Sequence, residues 1–285
     1  MKIAIVADSH LAPAVPAFNS NWAAVRAFVG GKKIDLTVHL GDITVDGLTD
    51  PSQFAHALDL STDWPTPIRY LPGNHDIGDN PPGPNVASKH PLDGSRLAQF
   101  RAAFGPDYWV VDSESWRVIG LNAQLFGTEG DSEREQWAWL SDVLLQPRVL
   151  PVILMMHKPL FQDSPADEAP HHRYVPARPR ARLVDLLSRH SLQAIISGHT
   201  HQYLDRVVAG VRHIWVPSTA YYFPDEIQDR IGEKVVGVGL LELTGESYRF
   251  DLVCPDGVER HSVLDHSVYP ELAARARRGG GRASR

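Results

Sequence analysis

Apolar residues fall along this chain in short, β-branched bursts separated by stretches where they recur every three or four positions. The bursts at 3–7, 36–40 and 68–71 read as buried strands, and helical spacing over 18–29, closed by Gly30-Gly31, reads as a helix. Further helices are predicted over 51–60, 95–103, 132–145 and 181–190, the 132–145 segment being the most clearly amphipathic. Further strands are predicted at 109–111, 117–121, 149–156 and 192–197, with a closing set of antiparallel strands in 206–216 and 234–253. Two Pro-rich segments, 73–91 and 161–180, lack either period and read as loops. Alternating strands and helices followed by β-rich pairs predict an α/β fold with two sheets packed between outer helices.

Composition narrows this only slightly. The 285 residues are 43% hydrophobic and 22% charged, ordinary for a globular domain, so one large core is within reach. A net charge of −6 argues against a surface built for nucleic acid. The single cysteine, Cys254, excludes an intramolecular disulfide and a cysteine metal cluster, leaving His, Asp, Glu and Asn as metal ligands. The opening MKIAIVADSH is too short an apolar run for a signal peptide, and no run approaches a membrane span. A cytoplasmic protein is therefore expected. Residues 1–270 are expected to form one domain, and the basic, Gly/Arg-rich 271–285 a disordered tail.

The chemistry lies just past the end of each burst. Asp8 and His10 come after the first, Gly41-Asp42 after the second, and Gly73-Asn74-His75-Asp76 after the third. His157 comes directly after 149–156, and Gly198-His199-Thr200-His201 after 192–197. Taken singly, each reads as a turn, a cap or a satisfied edge histidine. Together they place five clusters of oxygen and imidazole donors at the carboxyl ends of strands, the edge where open α/β sheets bind ligands. That donor set suits two adjacent Mn, Fe or Zn ions, with a carboxylate such as Asp42 offsetting their repulsion. Glycines at 41, 73 and 198 allow sharp turns and leave room for metals.

This motif series resembles that of the calcineurin-like metallophosphoesterases, over roughly residues 1–220. The resemblance implies a four-layer αββα sandwich, two mixed β-sheets flanked by helices, with a binuclear centre at the strand ends. It assigns Asp8, His10, Asp42 and His201 to one metal and Asp42, Asn74, His157 and His199 to the other. It further implies in-line attack on phosphorus by a metal-bridging hydroxide, with His75 as general acid or charge stabiliser. In the serine/threonine phosphatase branch an Asp three residues past the bridging one supports that histidine. Here Val45 stands there and the carboxylate is Asp46, for which support of His75 and a plain turn role are both open. His10 and Val45 together point away from a purple acid phosphatase.

The motifs "GDITVDG", "LPGNHD" and "MMHKP" are most similar to the bacterial branch of cyclic-nucleotide and glycerophosphodiester phosphodiesterases. The expected function is hydrolysis of a small phosphodiester. A phosphomonoesterase or nucleotide pyrophosphohydrolase, a nuclease and a non-catalytic binding module are the alternatives. His171, His172, Arg173 and Arg178, with Arg180, are candidate substrate contacts, the alternative being a solvated loop face. Tyr221-Tyr222-Phe223 offers stacking on a base or sugar, or core packing. A small-molecule phosphoester is the expected partner, with no nucleic acid, no membrane span and homo-oligomerisation left open.

Overall fold

A computed structural model describes residues 1–147 and 149–279. In chain order the elements are β1 (Lys2–Val6), α1 (Pro16–Gly30), β2 (Leu36–His39), α2 (Ser52–Leu60), β3 (Ile68–Tyr70), α3 (Asn74–Ile77) and α4 (Gly94–Phe104). Next come β4 (Trp109–Asp112), β5 (Arg117–Leu121), α5 (Asp131–Leu144), β6 (Val152–Met156), α6 (Ala177–Ser188) and β7 (Leu192–Ser197). The chain continues through β8 (Leu204–Val208), β9 (Val211–Trp215), β10 (Tyr221–Tyr222), β11 (Val238–Thr244), β12 (Ser247–Val253), β13 (His261–Ser262) and α7 (Pro270–Gly279).

These strands make two mixed sheets, ordered β12-β11-β1-β2-β3 and β4-β5-β6-β7-β9-β8, plus a two-stranded pair β10-β13. The apolar bursts lack polar alternation because both of their faces are buried. Ile3 and Ile5 of β1 face the space between the sheets, whereas Ala4 and Val6 face Trp22 and Val25 of α1. On β6, Ile153 and Met155 point inward while Leu154 and Met156 meet Trp137 and Leu140 of α5 and Leu183 of α6. Helices α1, α2 and α4 thus cover one sheet and α5 and α6 the other, the four-layer αββα sandwich expected.

The structure differs from the sequence pattern in three places. Segments 206–216 and 234–253 are each a hairpin, but they close different sheets: β8-β9 extends the second, and β11-β12 joins the first beside β1. Helix α6 begins at Ala177 rather than 181, because Pro179 lies in its first turn, where no backbone N–H needs a partner. The expected tail begins with a helix, α7, and Leu272 on it packs against Tyr221 and Val45; residues 280–285 lie outside the described region.

Strands β1, β2 and β3 run parallel, as do β6 and β7. Their carboxyl ends therefore share one edge of the sandwich, where the two sheets meet.

Candidate metal centre

At that edge the backbone turns more sharply than most side chains tolerate. Asp8, His10, Asp42, His199 and His201 all have positive φ, between 45° and 67°. A left-handed conformation is uncommon for residues with a Cβ, and it persists only where the surroundings fix it. Backbone hydrogen bonds supply that fixing: Asp8 N donates to Gly41 O (3.0 Å) and His10 N to Asp42 O (3.1 Å), tying two strand exits together. Across the sheets, His199 N donates to Asp8 Oδ2 at 2.9 Å. Two glycines are required by space: a Cβ on Gly73 would fall 2.1 Å from Asp42 Oδ1, and Gly41, at φ +106°, would bring one within 2.8 Å of His157 Nδ1.

Two groups of donors result. In the first, His10 Nε2 and His201 Nε2 lie 3.2 Å apart, with Asp8 Oδ1 3.4 Å from the latter. The far nitrogens are engaged: His201 Nδ1 pairs with the Tyr221 carbonyl at 3.0 Å and His10 Nδ1 with the Tyr269 hydroxyl at 3.0 Å. Three buried acceptors thus converge, and Asp8 Oδ1 has no hydrogen-bond donor. The Tyr221 hydroxyl, 3.4 Å from His10 Nε2, can satisfy one of them at most. A cation satisfies all three, so these residues fit a metal ion.

The second group is built alike. His157 Nδ1 pairs with the Leu40 carbonyl at 2.9 Å, turning Nε2 toward Asp42 Oδ2 (3.3 Å), Asn74 Oδ1 (3.3 Å) and His199 Nδ1 (3.0 Å). His201 and His157 both adopt the usual design in which the non-ligating ring nitrogen is held by an oxygen behind it.

Electrostatics point the same way. Burial, aided by neighbouring histidines, holds His10 and His199 well below the ordinary imidazole value, leaving them neutral, the form that binds metal. Burial opposes charge on Asp42, but His157 and His75 outweigh it and hold the carboxyl well below its usual range. Burial lowers His157 too, yet Asp42, with Asp8 and Asp76, carries it up to about 9. The carboxylates draw positive charge to this point.

His75 lies beside the first group, its ring 4.9 Å from that of His10. Its Nδ1 pairs with the Val45 carbonyl at 2.7 Å. Of the two placements open for Asp46, the structure gives the turn: its carboxylate accepts the Thr49 hydroxyl, and its carbonyl accepts Thr49 N and Asp50 N. A backbone carbonyl, invisible in a residue pattern, stands where a supporting carboxylate was sought.

Several groups support the site in roles that the sequence pattern did not assign, Asp76 of the Gly73-Asn74-His75-Asp76 motif among them. Asp76 gathers Ile43 N (3.2 Å), Thr44 N (3.0 Å) and Gly73 N (2.9 Å), pinning the Asp42 and Asn74 turns to each other. Lys158, fully buried next to His157, bonds Asp79 and, at 2.5 Å, Asn80. Gln124, with its amide oriented to satisfy both neighbours, donates to Asp79 (3.0 Å) and accepts from Asn74 N (3.2 Å). Lys158 entered the sequence reading only as part of "MMHKP", and Asp79 only as a residue of the 73–91 loop.

The ligands open onto a cavity of about 190 Å³ whose inner wall includes Asp42, Asn74, His75, His199 and His201. His172 and Arg173 face it from the 161–180 loop, and Phe223, Ile227 and Leu272 make an apolar side. His171 stacks on His172 with ring centroids 4.8 Å apart, behind the wall. Arg178 lies elsewhere, exposed and paired with Glu129 at 3.1 Å. Arg180 is buried and donates to the carbonyls of Leu160, Pro165, Val175 and Asp167, which makes it the loop's brace. Tyr221, almost fully buried, and Phe223 both lie against His201, with ring centroids 4.5 and 4.8 Å from it, and both reach the cavity wall.

Fold and site define a class: an αββα sandwich carrying a two-metal ligand set at its strand ends. The sequence profile of the calcineurin-like phosphoesterases matches residues 1–203, and the chain belongs to that family. It is 25% identical over 232 residues to a probable cyclic nucleotide phosphodiesterase of Psychrobacter arcticus, covering 76% of this chain and 80% of that one. It is 29% identical over 147 residues to the serine/threonine-protein phosphatase CPPED1 of Danio rerio, spanning half of this chain and 44% of that protein. A dimetal phosphatase from Danio rerio shares the fold, with TM-score 0.61, 14% identity, and coverage of 88% and 95% of the two chains. Among the described residues no helix is long and apolar enough to cross a membrane.

Proposed function

We propose that this chain is a binuclear metal-dependent phosphodiesterase acting on a small diester of the cyclic-nucleotide or glycerophosphodiester type. The observation that carries the reading is the convergence of two groups of metal-binding side chains, Asp8-His10-His201 and Asp42-His157-His199, of which Asp42, His199 and His201 line one cavity together with His75. Asp8, His10, Asp42 and His201 would hold one ion, and Asp42, Asn74, His157 and His199 the other, Asp42 serving both.

When bound, such ions lower the pKa of water and offset charge on phosphoryl oxygens. The chain's own groups do the rest. His75, anchored through Nδ1 on Val45 O, presents Nε2 to the departing alkoxide oxygen as the proton donor. Arg173 places positive charge opposite the metal-ligand candidates, where it orients the phosphoryl group, and His172, which burial and the neighbouring cations lower to about 4, faces the cavity as a neutral imidazole. Phe223, Ile227 and Leu272 give the second ester arm an apolar surface. Resemblance over 76% of the chain to a protein named as a cyclic nucleotide phosphodiesterase supports the diester over the monoester.

The test is hydrolysis of bis-p-nitrophenyl phosphate against p-nitrophenyl phosphate by metal-stripped protein reloaded with Mn²⁺. Preference for the diester, abolished by chelation, is expected. Preference for the monoester would replace the reading with a phosphatase, and absence of turnover with Mn²⁺, Zn²⁺ or Fe²⁺ would sink it.

A further inference from the structure

Tyr269 lies far beyond the residues that match the family profile, yet its hydroxyl reaches into the metal centre. It donates to the Val45 carbonyl at 3.3 Å. A phenol has one proton to give, so the 3.0 Å contact with His10 Nδ1 runs the other way, His10 Nδ1–H donating to Tyr269 Oη. That bond fixes the His10 tautomer and leaves Nε2 as the acceptor facing His201 and Asp8. The same Val45 carbonyl takes His75 Nδ1 at 2.7 Å. One carbonyl and one phenol therefore link a metal-ligand candidate to the proton donor candidate.

The segment carrying Tyr269 is firmly seated. Strand β13 pairs in parallel with β10, whose Tyr221 carbonyl holds His201 Nδ1. Val263, Leu264, Val268, Tyr269 and Leu272 pack with Val45, Phe18 and Tyr221 in a hydrophobic cluster separate from the main cores. The Tyr269 ring stands 5.5 Å from that of His75 and 6.2 Å from that of His10.

We infer that the C-terminal segment 261–272 is a working part of the metal centre, with Tyr269 a positioning residue that orients His10 for the first ion and shares its anchor with His75. The inference rests on the binuclear reading proposed above. In metal sites the oxygen that holds the far nitrogen of a ligating histidine raises its basicity and fixes its ring, and removing that oxygen typically costs roughly 10–100-fold in metal affinity. Most such partners are carboxylates or backbone carbonyls; here the partner is a phenol 259 positions along the chain from its histidine.

The experiment is calorimetric titration of metal-stripped wild-type protein and Tyr269→Phe with Mn²⁺ alone, together with melting of both proteins in EDTA. Phenylalanine keeps the ring and its packing and removes only the oxygen. The expected result is two sites in the wild type, one of them about 10–100-fold weaker in Tyr269→Phe and the other unchanged, with metal-free melting temperatures within about 2 °C. Two sites of unaltered affinity in Tyr269→Phe would overturn the inference. Equal weakening of both sites alongside a lowered metal-free melting temperature would overturn it too, by assigning Tyr269 to packing. A wild type that binds no pair of Mn²⁺ ions would instead remove the binuclear reading beneath it.

Discussion

His75 is held on one side only, by a carbonyl, and that arrangement decides what its loss will do. A proton donor matters in proportion to how badly the leaving group needs the proton. p-Nitrophenolate departs without help, whereas a sugar or glycerol alkoxide does not. Replacing His75 with Ala is therefore expected to lower kcat on bis-p-nitrophenyl phosphate by about tenfold or less and on an alkyl diester by about 10²–10⁴-fold. Comparing the two substrates on one variant separates proton delivery from a general disturbance of the site, which would slow both alike. Asp46→Asn makes the contrasting case: its carboxylate is engaged by Thr49, so both substrates should lose the same small factor. A larger loss on the alkyl diester would place Asp46 behind His75 after all.

The turn after β2 shows how one element can prepare a ligand without touching metal. His39 accepts from Gly41 N at Nδ1 (3.2 Å) and its Nε2 pairs with Ser9 Oγ (2.8 Å), while Ser9 Oγ donates to Ile43 O (3.0 Å). The network brackets Asp42 and requires neutral imidazole with its proton on Nε2, since a proton on Nδ1 would face the Gly41 N–H. Burial, with His157 adding to it, lowers His39 to about 3. Because its folded value is depressed below the usual 6.5, the unfolded chain binds the extra proton between about 6.5 and 3. Stability is full above about pH 6.5 and falls with acid by at most about 1.4 kcal/mol per pH unit for this one group. Urea midpoints of metal-free protein at pH 7.5 and 5.0 should differ less for His39→Gln than for wild type; equal differences would mean that the acid sensitivity has another source. None of this could be read from "VHLGD", where His39 looks like one more residue of a buried strand. The candidate ligands were legible because each cluster of chemistry-bearing side chains comes just past the end of an apolar burst. The roles of His39, Asp76 and Tyr269 were not, because they depend on partners, backbone and side chain alike, that only the fold brings near, Val45 O being 224 positions from Tyr269 and His10 259. The lengths of β1, β5 and β7 could be read closely, whereas the split of the two closing hairpins between sheets depends on pairing partners that no local period encodes.

Each acceptor group draws on both halves of the sandwich. Asp8 and His10 leave the first sheet and His201 the second; Asp42 leaves the first, and His157 and His199 the second. Ions bound there would clamp the layers at an edge where His199 N to Asp8 Oδ2 is already one direct cross-sheet bond. Binding to the folded form alone stabilises by about 2.7 kcal/mol per site at a hundredfold excess over Kd, and a domain of this size gains about 2–4 °C per kcal/mol. Mn²⁺ at that excess is therefore expected to raise the melting temperature by about 5–20 °C, depending on whether one or both sites fill. Because every ion touches both sheets, calorimetry should show one transition that moves as a whole, with no separate early melting of either sheet. His201→Ala and His157→Ala should each keep part of the metal-induced shift, one per group, and the double variant none. A shift undiminished in the double variant would mean that Mn²⁺ stabilises the protein from somewhere other than this edge.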